Sequence, residues 1–181
     1  MVELSATPGK GVALSIDRFA APPLDPDTVA RMNTLCDLIE AGRDSEDVRE
    51  HLDEWNSMAH RSYEKSEFES YYQSLDKEDF VNDALYPPGA HLEDLTFSEA
   101  VSAVDALLNS SSEATSFFLL RMLDANFPEA MIGDLIYWPD VWFGTEAARD
   151  AELTHEQIVA LAARKAGRSL VGAPDLKLPE F

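Results

Sequence analysis

The sequence predicts an all-α protein made of two small helical domains, and three observations carry this prediction. Apolar residues recur at three- and four-residue spacings over nearly the whole chain, while period-two alternation is rare and clearest at Val12, Leu14 and Ile16. Helix-opening signals recur as well: Asp25-Pro26-Asp27, Thr96 followed by Glu99, and Thr154 followed by Gln157. Near the middle, Pro87-Pro88-Gly89 cannot continue a helix. The expected boundary therefore falls there, giving domains 1–88 and 89–181.

Each element follows from its local pattern. Asp25 caps a first helix, Pro26 sits at its first position, and Asp27 lies near its positive dipole end. Val29, Met32, Leu35, Cys36 and Ile39 form its apolar stripe, and Gly42 stops it. Ser45 caps a second helix with Val48, Leu52, Trp55 and Met58 on one face and acids on the others. A third helix is expected over 65–74, burying Phe68, Tyr71 and Tyr72. A fourth opens at Asp76, with Phe80, Val81, Ala84 and Leu85 inward.

Past the boundary, Thr96 opens a helix with Glu99 at its third position, a capping-box spacing, and Val101, Val104, Leu107 and Leu108 form its apolar face. Asn109 is expected to end it in the left-handed conformation that Asn tolerates. Glu113 leads the next helix, which carries Phe117, Phe118, Leu120, Met122 and Leu123 and ends before Pro128. Thr154 opens the last, with Ile158, Val159, Leu161 and Ala162 inward until Gly167. The alternating 12–16 stretch is expected either as a tail or paired with Leu170-Val171, a short β pairing of the two ends.

Composition narrows the function classes. Hydrophobic residues make up 45% of the 181, enough for a packed core despite a formal net charge of −20. That charge opposes direct binding to nucleic acid and to anionic membrane surfaces, and favours a basic protein partner. It also favours a monomer in the free state. One cysteine, Cys36, excludes an intramolecular disulfide and reads as a small core residue. The first residues lack a basic stretch running into a long apolar one, so no secretory signal is expected, and no apolar run approaches the length of a membrane span. The expected location is the cytoplasm.

The segment Gly133-Asp134-Leu135-Ile136-Tyr137-Trp138-Pro139 is the most informative in the chain. It is short and lies between helices, yet it concentrates aromatics, with Trp142 and Phe143 close behind. Such residues either plug a small core or anchor a protein interface. Asp134, Asp140, Glu146, Asp150 and Glu152 surround them, as an acidic rim surrounds an anchor.

At this segment the chain resembles a known family. Asp134-Leu135-Ile136-Tyr137-Trp138-Pro139 is similar to the Asp-Leu-Ile-Tyr-Tyr-Pro motif of the immunity proteins of nuclease colicins and pyocins. The flanks match in order: Thr96 and Glu99 as a Thr-x-x-Glu opening, an acid-led helix from Glu113 to Pro128, and Thr154-His155-Glu156-Gln157-Ile158-Val159 against Ser-Pro-x-x-Ile-Val. The resemblance covers about residues 93–168. It implies a four-helix, immunity-type bundle with a short third helix, which binds and inhibits a basic toxin nuclease domain by blocking substrate access and performs no chemistry of its own. Pairs of this family are among the tightest complexes known.

The implied partner-binding residues are Asp134, Tyr137, Trp138, Pro139 and Asp140. The chain departs from the pattern in three places. Trp138 replaces a tyrosine, the spacing from Pro128 to Asp134 is longer, and the acidic loop after the motif is longer. The first domain has no counterpart in the small family members. Its Trp55-Asn56 to Tyr63 stretch and Phe68-to-Tyr72 cluster resemble additional domains of longer immunity-like proteins.

Other chemistry finds little support in the residues. His155-Glu156 opens like a zinc-binding H-E-x-x-H, but Val159 stands where the second His belongs. His51 and His60, nine apart, would face opposite sides of one helix. With no nucleophile-centred grouping, phosphate loop or metal cluster, the expectation is a non-enzyme without metal or cofactor. A second function class stays open: an acidic DNA mimic or adaptor that occupies a nucleic-acid-binding protein.

Overall fold

The structure, a computed structural model, describes residues 18–42 and 46–181. The expected cap at Ser45 and the alternating 12–16 stretch lie outside the described residues. Those described form nine α-helices: α1 Pro26–Ala41, α2 Glu46–Met58, α3 Lys65–Phe68, α4 Lys77–Leu85, α5 Phe97–Leu108, α6 Glu113–Asn126, α7 Ile132–Tyr137, α8 Pro139–Phe143 and α9 His155–Lys165. The protein is all-α, as the periodicity predicts. Its only β contact among the described residues is an isolated parallel bridge between Thr96 and Val171.

Two hydrophobic clusters hold these helices. The first joins Met32, Leu35, Cys36 and Ile39 of α1 to Trp55 of α2 and Phe80, Val81 and Ala84 of α4. Trp55 is its centre: the ring stacks on Phe80 at 5.5 Å and meets Phe68 edge-on at 4.8 Å. Such paired rings add to the burial of their area. Asp25 caps α1 by accepting the Thr28 N–H at 2.9 Å and its hydroxyl at 2.7 Å. Gly42 follows α1 in an extended conformation, and its role is close approach: a Cβ there would lie 2.2 Å from Val48 Cγ2. Cys36 is fully buried, and this burial pushes its thiol up to about 11.

The expected helix over 65–74 breaks in two. Glu64 and Glu67 form a capping box on α3, which ends after one turn at Phe68, and a separate 3-10 turn covers Tyr71–Gln73. The break lets Tyr71 lie flat on Phe80 at 4.3 Å. Tyr72 is consequently exposed rather than buried. A continuous helix would hold 68, 71 and 72 to one stripe, and stacking on Phe80 wins over that periodicity.

The second cluster combines α5, α6, α7 and α9 with Phe19, Tyr86, Phe127 and Leu170. Thr96–Glu99 and Thr154–Gln157 both close as full capping boxes. On α5, Val104 and Leu107 are buried as expected, joined by Phe97, Ala100 and Ala103, whereas Leu108 is 41% exposed. Asn109 ends α5 at φ −102°, outside the left-handed region, and its side-chain amide donates to the Asp105 carbonyl at 2.9 Å. Gly167, at φ 65°, supplies the left-handed stop after α9. One buried polar residue, Asn126, ties this cluster together. It accepts from Leu92 N–H and Arg168 Nη1, each at 2.9 Å, and donates to the Ala90 and Met122 carbonyls.

Candidate functional site

The aromatic segment folds into two short helices that meet at a corner. Met131 precedes α7 in the left-handed region at φ 52°, an uncommon conformation for a residue with a side chain, and so turns the chain sharply after α6. Ile132 and Leu135 then point into the second cluster. Trp138, at φ −140°, ends α7 and at once opens α8, whose first residue is Pro139. Gly144, at φ 69°, closes α8, and its N–H bonds back to the Asp140 and Val141 carbonyls.

This geometry sorts the aromatics into two groups. Tyr137 and Trp138 stand in solvent, 50% and 63% exposed, with Met131 and Val141 also exposed on the same two elements. Trp142 and Phe143 turn the other way. The Trp142 indole N–H donates to the Ala130 carbonyl at 2.6 Å, the Lys165 ammonium lies 4.6 Å from the ring centre, and Phe143 touches both Trp142 and Phe181. The inner pair therefore fastens the corner and the outer pair crowns it.

The acidic surround is equally specific. Asp134, in the first turn of α7, is half-buried. On α6, Asp124 is exposed as a whole, yet desolvation of its carboxyl and the neighbouring Asp134 charge raise its pKa. Asp140 pairs with Arg149 at 3.4 Å, and Arg149 also reaches Glu146 at 3.0 Å. Over residues 93–157 the chain has two bases, Arg121 and Arg149, against thirteen acids.

All five sequence-predicted residues lie on this corner, but in different situations. Tyr137 and Trp138 are exposed, Asp134 is half-buried, Asp140 is held by Arg149, and Pro139 is buried beneath the turn. Pro139 thus shapes the corner from inside. Sequence reasoning missed Met131, Val141 and Asp124. Val141, three residues after Trp138 on the proline-initiated α8, had a legible signal; the left-handed Met131 had none. Among the described residues, no group of three His, Cys, Asp or Glu side chains is arranged to hold a metal ion. No described helix is long and apolar enough to cross a membrane. No family model, curated protein or solved structure matches the chain, so the meaning of this corner rests on its own geometry.

Proposed function

We propose that the chain is a bacteriocin-type immunity protein: the α7–α8 corner binds the basic nuclease domain of a toxin and blocks substrate access to it. The observation that carries this reading is the pair Tyr137 and Trp138, adjacent in sequence and at least half exposed, on a corner that the Trp142 indole bonds to the Ala130 carbonyl. Aromatic side chains of this kind anchor interfaces because they bury much area for little lost entropy. A free protein leaves two such rings in water at a cost that a partner's apolar surface removes. The acids around them, Asp124, Asp134 and Glu146, match a basic face and repel the nucleic acid that face would otherwise bind. The six-residue similarity to the immunity motif falls on this same corner. No chemistry is required of the chain in this role.

The test is binding to, and inhibition of, the nuclease domain encoded beside this chain, with Tyr137→Ala and Trp138→Ala compared at physiological salt. Each variant is expected to lose at least about 2 kcal/mol of binding, some thirtyfold in Kd, as interface hot spots do. Full affinity in Trp138→Ala would sink the proposal. The other reading, an acidic DNA mimic, is favoured only by the overall charge of −20. It requires the opposite result: indifference to both aromatic substitutions and loss of binding when salt is raised.

A further inference from the structure

The first cluster has no role in the binding reading so far, yet it is fastened to α6 at three levels. At the start of α6, Ser112 is the N-cap, but the third position is Thr115, so the capping box that closes α5 and α9 is missing here. The carboxylate comes instead from α4. Asp79 accepts the Ser112 hydroxyl at 2.7 Å, the Glu113 N–H at 3.1 Å and the Ala114 N–H at 3.2 Å. An anion at this end of a 14-residue helix also meets the positive end of its dipole.

One turn further along α4, Asp83 pairs with Arg121 at 2.5 Å, both side chains largely buried. Beyond α4, the Pro87-Pro88-Gly89-Ala90 segment lies against the second half of α6. A Cβ at Gly89 would stand 2.0 Å from the Arg121 carbonyl oxygen, the Ala90 N–H reaches Met122 Sδ at 3.3 Å, and the Ala90 carbonyl accepts from Asn126 at 2.9 Å. The segment read from sequence as a boundary is a clasp.

The far end of α6 in turn sets the corner. Gly133 lies over Leu120 of α6, and Ala130, whose carbonyl receives the Trp142 indole, is itself tied to the end of α6 by its N–H, which donates to the Phe127 carbonyl at 3.0 Å. We infer that α4 is a positioning element for the α7–α8 surface, acting through α6, with Asp79 as the residue that fixes the position of α6. Ser112 caps α6 by accepting the Thr115 N–H at 3.2 Å, and the first cluster then lends the carboxylate that the third position of α6 does not supply. This inference rests on the binding reading only in taking α7–α8 as the functional surface.

Hydrogen exchange on the full chain tests it without any partner, so its outcome is independent of whether a toxin is ever found. In Asp79→Ala, amides over 113–116 and 131–143 are expected to exchange about tenfold faster, while those of α1 and α2 keep their rates. Asp79→Asn, which retains an acceptor oxygen, should restore part of the protection. Leu35→Ala, which weakens the first cluster without touching the cap, should accelerate α1 and α2 and leave 131–143 alone. Acceleration confined to 113–116 would overturn the inference, because the cap would then be local. Equal acceleration everywhere would also overturn it, because Asp79 would then matter only to global stability. If Asp79→Ala does not fold, Asp79→Asn carries the same comparison.

Discussion

The three tryptophans of this chain have the same side chain and three different fates. Trp55 is fully buried at the centre of the first cluster, Trp138 is 63% exposed, and Trp142 is half-buried with its indole N–H bonded. Replacing each with alanine should therefore give three different losses in urea denaturation. Trp55→Ala should cost about 3–5 kcal/mol, in the range of buried aromatic truncations. Trp142→Ala should cost about 2 kcal/mol, for partial burial and one orphaned carbonyl. Trp138→Ala should stay within about 0.5 kcal/mol of the parent, the usual range for exposed positions.

Composition alone could not separate these cases. It placed aromatics in the 133–143 segment but not their directions, because directions depend on the left-handed Met131 and on Trp138 closing one helix while opening the next. Cys36 is the opposite case, read as core from its stripe and found there. Its thiol pKa of about 11 has a consequence at alkaline pH. The unfolded thiol ionises first, from about pH 9 upward, so the folded state holds more protons and stability falls as pH rises from 9 towards 11. Urea midpoints measured across that window should decline, and Cys36→Ala should flatten the first part of the decline. Tyr63, pushed up to about 12 by burial, extends the loss at higher pH.

At the scale of elements, what the sequence revealed depended on how local the cause was. The caps at Asp25, Thr96 and Thr154 involve only a residue and its neighbour three places on, and all three form as the spacing predicts. The helix expected over 65–74 failed because its cause is distant: Tyr71 is drawn onto Phe80 of α4. Asn126 failed to register at all, since its four partners come from the 90–92 segment, its own helix and Arg168.

Pro87-Pro88-Gly89 was legible as a helix stop, whereas its contact with α6 was not. Gly89 makes the point measurable. Gly89→Ala places a methyl group 2.0 Å from a backbone oxygen of α6, a contact no rotamer relieves. It should destabilise by more than about 2 kcal/mol, as overpacking against an unyielding neighbour does. Gly144→Ala meets nothing within 4 Å and bears only the left-handed penalty at φ 69°, about 1–2 kcal/mol. A larger loss at Gly144 than at Gly89 in matched urea titrations would contradict the clasp.

At the scale of the whole molecule, the net charge of −20 is spread over both halves, −11 on residues 1–88 and −9 on residues 89–181, so it cannot by itself mark a binding face. Within the second half the bases Arg164, Lys165 and Arg168 gather at the end of α9, where Lys165 lies over the inner Trp142 ring, while the stretch 93–157 that contains the α7–α8 corner carries thirteen acids against Arg121 and Arg149. This arrangement assigns charge and aromatics separate kinetic roles. A long-range field acts before contact and accelerates encounter with a basic domain, whereas buried rings act after contact and slow escape. Raising salt from 0.05 to 0.5 M, which shortens the screening length to about 4 Å, should cut the association rate constant about tenfold or more and change dissociation little. Trp138→Ala should do the reverse, leaving association near the parent rate and raising dissociation in proportion to its lost affinity. Stopped-flow mixing with the nuclease domain resolves both constants. If salt changed chiefly the dissociation rate, the charge would be part of the contact itself, and the aromatic corner would lose its place as the anchor.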